Sequence, residues 1–324
     1  MTRVEVKPKL LRWARERSGF SLSALAHRFP QLAAWESGTE RPTLKQLEHF
    51  AQATHTPIGY LFLQEPPIER LPIPDFRTVS NEHIKRPSPD LLDTVYLCQQ
   101  RQEWYRDFAR SMGDEPLTFV GSLRVTGDVV QMAAHIRRAL GFNVDERRRI
   151  PTWTDALRRF IDQADEMGVL MMVSGVVGSN NRRKLDAQEF RGFALADDLA
   201  PLVFINGADT KAAQMFTLAH ELAHIWIGQS AVSDAQASLV PEHQIEGWCN
   251  RVAAELLVPL EVLRAEYDQR ANLRHETDRL ARRFKRGFNG LLRGIGGRQF
   301  VLHDGNPLRG ALHGCGPCFH GFNG

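Results

Sequence analysis

Met215-Phe216-Thr217-Leu218-Ala219-His220-Glu221-Leu222-Ala223-His224-Ile225-Trp226-Ile227 is an apolar run whose only ionisable residues are two histidines and one glutamate. The three spell H-E-x-x-H. Residues four apart share one face of a helix. His220 and His224 can therefore reach one Zn²⁺, while Glu221, one step round, approaches a water on that metal. The absence of other charge predicts a buried helix, where imidazoles and a carboxylate are costly unless something compensates them. Zinc is such a compensator. A third protein ligand is needed, and Glu246 offers one, with Asn250 one helical turn later. Glu255 is a competing third ligand, and His243 could reach the site from the loop before the second helix.

Working outward, Thr210–Ile227 reads as the metal helix, with Asp209 a candidate N-cap and Gly228 a candidate stop. A second long helix is expected from about Gln244 to Leu257, before Pro259. Upstream, Val169–Val173 reads as a buried strand and Gly178–Lys184 as an exposed turn. Phe190–Ala196 and Leu202–Ile205 read as two more strands. Helical patterns occupy Leu91–Ser111, Asp128–Leu140 and Thr154–Met167. Trp226 and Trp248 read as core residues.

The two motifs together resemble the ImmA/IrrE family of bacterial zinc metallopeptidases. In that family an H-E-x-x-H is followed by E-x-x-x-N-x-x-A-A-x-x-L-x-P. Here the second motif is Glu246-x-x-x-Asn250-Arg251-Val252-Ala253-Ala254-Glu255-Leu256-Leu257-Val258-Pro259. The resemblance covers roughly Gly168 to Lys285. It implies a zincin-like domain of helices and a small sheet, and it favours Glu246 over Glu255 as third ligand. It also implies Zn²⁺ as cofactor and a protein substrate, in such families a helix-turn-helix repressor. The implied chemistry is hydrolysis by metal-activated water. Glu221 would serve as general base, then return the proton to the leaving amine. Asn250 would hydrogen-bond a ligand imidazole from behind, unless it is an ordinary helix-surface amide.

The N-terminal segment reads as all-α. Lys7–Ser18 has one apolar face, Ser21 can cap a second helix through Arg28, and Pro42-Thr43 starts another. This pattern resembles the Cro/repressor type of helix-turn-helix module, with Trp35-Glu36-Ser37-Gly38 matching the end of the recognition helix. Pro30 interrupts the place of the turn and leaves Gln31–Ser37, about 10 Å of helix. Ala33 and Ala34 have nothing to offer base edges. DNA therefore stays an open but doubtful partner. The bland alternative is a helical unit kept for dimerisation or docking.

The expected organisation is α+β. Residues 1–74 form the helix-turn-helix-like domain, 75–118 a Pro-marked linker and helical connector, 119–285 the metallopeptidase domain and 286–324 an atypical Gly-rich tail. At 324 residues, about two domains are expected. The apolar fraction of 43% is that of a globular protein, and a net charge of +3 does not demand nucleic acid. No apolar leader or membrane-length run is visible. Four cysteines give no disulfide framework. Both observations point to a cytoplasmic protein without membrane contact. Arg147–Arg149 and Arg182–Lys184 read as solvated loop charge, and Arg279–Lys285 as a basic amphipathic surface helix. Cys315-Gly316-Pro317-Cys318 lacks the strand and helix that a redox motif needs. The alternative to an enzyme is a DNA-binding regulator or toxin–antitoxin component whose metal domain does not cut. An intact Glu221 favours the enzyme, since holding zinc needs no base.

Overall fold

A computed structural model describes residues 3–75, 86–233 and 244–268. His243, the Arg279–Lys285 segment, both tail cysteines and the tail itself lie outside the described residues. The contact pattern divides the chain into two compact units, Met1–Pro72 with Ile84–Leu97 and Ile73–His83 with Cys98–Gly324.

The first unit is helical, with α1 Pro8–Arg17, α2 Leu22–Ala26, α3 Leu32–Ser37, α4 Leu44–Ala53 and a 3-10 turn Ile58–Phe62. Its starts follow from side-chain capping. Ser21 accepts from the Ala24 amide, and Thr43 with Gln46 forms a reciprocal capping box. The apolar faces meet in a core of Leu10, Leu11, Trp13, Phe29, Trp35, Leu47 and Phe50. Gly38 ends α3 in the left-handed region, at φ 76°.

The long helix α5 runs Pro89–Met112 and passes from the first unit into the second. Then come α6 Val129–Ala139, α7 Val144–Arg149 and α8 Trp153–Glu166, the first and last capped by Asp128 and Thr152. The sheet strands are β1 Leu170–Ser174, β4 Gly192–Leu195, β5 Leu202–Asn206 and β6 Ala231–Ser233. A separate hairpin is made by β2 Val176–Val177 and β3 Asn180–Lys184. The sheet order is β1-β5-β4-β6, with β1 parallel to β5 and the other pairs antiparallel. The remaining helices are α9 Lys211–Trp226, α10 Gln244–Leu257 and α11 Leu260–Glu266. Among the described residues, no helix is long and apolar enough to cross a membrane.

Four local expectations change. The Val169–Val173 run is an edge strand rather than a buried one, with Val173 42% exposed, because only β5 pairs with it. An apolar run signals strand without telling centre from edge. The Gly178–Lys184 turn is the β2–β3 hairpin, whose second strand carries Arg182–Lys184. Arg147–Arg149 close α7 rather than lying in a loop. Finally, Thr210 caps α9, accepting from the Ala213 amide, and Asp209 instead accepts from the Thr210 amide and pairs with Arg191 at 3.4 Å.

The α+β architecture stands, and its core gathers around α9. This helix packs on α10, α8, β4 and β5. One sheet face turns Ala194, Val203 and Ile205 into that core. The opposite residues Phe193 and Phe204, paired across the strands, stack at 4.9 Å.

Candidate metal centre

From Ala213 to Trp226 every residue of α9 is buried. Such a helix must satisfy its ends from elsewhere. Thr210 serves the N-terminus, while the amides of Gly121 and Leu123 donate to the Ile225 and Trp226 carbonyls at 3.2 and 2.9 Å. Gly228 then turns the chain at φ 69°, and a side chain there would meet the Gly121 backbone at 3.0 Å. Phe119 packs on Trp226 with ring centres 4.7 Å apart. Trp226 and Trp248 are both core residues at 0% exposure.

This frame fixes His220 and His224 one turn apart on the face toward α10. Glu246 stands in the first turn of α10 and points back. Its carboxylate lies 3.1 Å from His220 Nε2 and 3.0 Å from His224 Nε2, and the two Nε2 atoms are 3.1 Å apart. These three residues form a group that could hold a metal ion, with ligand atoms all within 4.8 Å of one another. The contact separations approach the edge of a tetrahedron with bonds of about 2.0–2.1 Å, roughly 3.3 Å. Asn250 Oδ1 sits 2.9 Å from His220 Nδ1. Accepting there, it keeps the Nδ1 proton in place and leaves Nε2 as the ligating nitrogen. Glu255 does something else: its carboxylate accepts from the Leu260 amide and so holds the start of α11.

Electrostatics follow from the geometry. Burial disfavours charge on His220, but Glu246 beside it wins and lifts its pKa to about 9. Burial depresses the pKa of His224, which stays neutral at pH 7. The Glu246 carboxyl, despite burial, is held far below the usual carboxylate range by the two imidazoles. In the metal-free chain a proton between Glu246 and His220 thus occupies the place of a cation. Burial also pushes the Cys249 thiol well up, leaving it unreactive.

Glu221 differs from all of these. It is 0% exposed, and among the described residues neither carboxylate oxygen has a partner of hydrogen-bond geometry. Burial drives its pKa up to about 8, against the pull of His220 and of Ser233. A carboxylate left so is costly unless a bound group supplies what is missing. The residues present therefore fit a divalent metal with N and O ligands, and Glu221 adjoins the first of them in the chain.

Two contributors escaped sequence reasoning. A Cβ on Gly192 would stand 2.6 Å from Thr217 Cγ2, 2.7 Å from the Phe204 carbonyl and 3.2 Å from Glu221 Oε1. Its missing side chain lets α9 lie close to the sheet. The available signal was a glycine inside an apolar strand, which marks close approach of backbone. Ser233, on β6 opposite Gly192, is the other. Three residues of mixed polarity carry no readable strand signal.

Residues 164–293, about two fifths of the chain, match the IrrE N-terminal-like domain, the Peptidase M78 family. The match supports the resemblance to the ImmA/IrrE family over that stretch. The match holds α9, α10 and the whole sheet, and the matched family is a zinc-type peptidase family. No curated protein matches the chain.

Proposed function

We propose that the protein is a zinc-dependent endopeptidase that cleaves a peptide bond in a protein substrate, a helix-turn-helix transcriptional repressor. The observation that carries the enzymatic part is Glu221. It lies one residue from His220, is fully buried and, among the described residues, has no hydrogen-bond partner of good geometry, whereas a site that only held metal would need no such group. The repressor as substrate rests on the family resemblance.

His220, His224 and Glu246 would hold the ion, and Asn250 would orient His220. When bound, zinc supplies Lewis acidity, polarising a carbonyl and acidifying a water molecule. Glu221 takes the proton from the attacking water and delivers it to the leaving amine. A carboxylate beside the first ligand histidine is placed to accept a proton from that water and to pass it on. Glu221→Gln should keep zinc and fold while slowing cleavage about 10²–10⁴-fold. Cleavage of a neighbouring repressor by the variant at the parent rate would remove Glu221 from the mechanism, whereas a zinc-loaded parent that leaves the repressor uncut would favour a metal domain that binds without cutting.

The N-terminal unit serves docking in this reading. Of the six residues in α3, Leu32, Trp35 and Glu36 are buried, which leaves little to present to a base edge. Nanomolar binding to one DNA sequence at physiological salt would contradict it, because non-specific contacts typically give only about 10⁻⁴–10⁻⁶ M.

A further inference from the structure

Helix α5 is held along one face and bare along another. On the held face, Gln102 Nε2 donates to the carbonyls of Leu195 and Ala200 at 3.0 and 2.8 Å. Arg106 pairs with Asp197 at 3.0 Å, and Ala109 is buried. These contacts lie within the second unit and fix that part of the helix to the sheet's end. On the bare face Trp104, Phe108 and Met112 recur every fourth residue, exposed by 70%, 48% and 65%. The Trp104 and Phe108 rings stack on each other, 6.1 Å apart and 8° from parallel. Three such side chains in a row on a fixed helix form a contiguous apolar stripe, of the kind that marks an interaction surface. Trp, Phe and Met are also the residues that interfaces favour.

The charges around the stripe say what fits it. Arg101 stands exposed near its N-terminal end, and Asp114 with Glu115 stands exposed beyond its C-terminal end. The helix dipole has the same direction, its positive pole at the N-terminus. Two copies laid side by side in parallel would set Arg101 against Arg101 and acid against acid. Laid antiparallel, each basic end meets an acidic end. We propose that this stripe is the homodimer interface: α5 of two chains pack antiparallel about a two-fold axis at Phe108. Trp104 of each copy then meets Met112 of the second, an aromatic–sulfur contact. Such a surface is self-complementary, as a two-fold interface must be.

The test uses the full chain, with light scattering or sedimentation across a range of concentrations. The expected result is a dimer for the parent. Phe108→Glu, which brings two carboxylates together on the axis, should halve the mass while circular dichroism and melting stay those of the parent. Should that variant fail to fold, Phe108→Cys decides. Mild oxidation should link it into a covalent dimer several-fold more than the parent, whereas Trp104→Cys alone should not link. A parent that is monomeric at every concentration overturns the proposal, and another segment of the chain or another protein then covers the stripe. A dimer indifferent to Phe108→Glu overturns it as well.

Discussion

Two buried carboxylates, Glu36 in the first unit and Glu221 in the second, share a residue type and nearly the same burial, yet differ in everything else. Glu36 accepts from Arg15 twice, at 2.7 and 3.1 Å, and Arg12 stands a further 3.8 Å away. Its charge is answered inside the protein, so it ties α3 to α1. Among the described residues no donor reaches Glu221 in hydrogen-bond geometry, and Ser233 and His220 only pull on it from nearby. A chain that buries a carboxylate must stabilise it with donors or leave it costly. The first is architecture. The second is tolerated where the unanswered group has work to do, and such groups gather at functional sites.

The largest expected contrast comes from cutting each one loose. Arg15→Ala strands Glu36 and should cost about 3 kcal/mol in urea unfolding, the usual penalty for breaking a buried pair. Glu221→Gln should leave the metal-free protein within about 0.5 kcal/mol of the parent at pH 7. At that pH the parent's Glu221 already carries its proton. An equal loss in both would erase the distinction.

A smaller effect is expected from Gly192→Ala. The added methyl meets the Phe204 carbonyl and Thr217, and overpacking of this kind costs about 2 kcal/mol. Because the methyl also presses on Glu221 Oε1, activity should fall further than stability does. Activity retained at the parent level would mean that α9 can shift without harm to the site.

The smallest effect is a slope against pH. In the folded metal-free chain Glu221 and His220 hold their protons to about 8 and about 9, above their ordinary values. The stability this adds is complete below the unfolded values and disappears as pH rises through the folded ones. His224 and Glu246 are shifted downward, and above about pH 6.5 neither contributes to the change. Metal-free stability should therefore fall by about 1 kcal/mol from pH 7 to about pH 7.5, the two groups contributing about equally. The decline should be shallower in Glu221→Gln. Zinc binding needs the same protons gone, so zinc should stabilise more as pH rises over this range. Thermal melting with and without a chelator reads both slopes, and a metal-free chain that gains stability toward pH 8 would contradict the proton assignments.

What the sequence determined by itself was local and periodic. Four-residue spacing in an apolar run put His220 and His224 on one face of a buried helix. Ser21, Thr43 and Asp128 announced helix starts, because a cap needs only its own next three residues. The span of α10 was legible for the same reason, ending where Pro259 forbids continuation. Glu246 and Asn250 became legible as a pair through their own spacing and through the second motif. What the tertiary structure decided were matters of distance between segments far apart in sequence. It set β1 at the sheet edge, since strand order depends on which strands pair. It chose Thr210 over Asp209 as cap, a difference of one residue settled by the Asp209–Arg191 contact. It sent Glu255 to the α11 amide and Glu246 to the imidazoles, although both are glutamates of one helix. It also showed why residue 192 has no side chain. A periodic pattern encodes which way a residue faces along its own element, and only packing encodes what stands there to meet it.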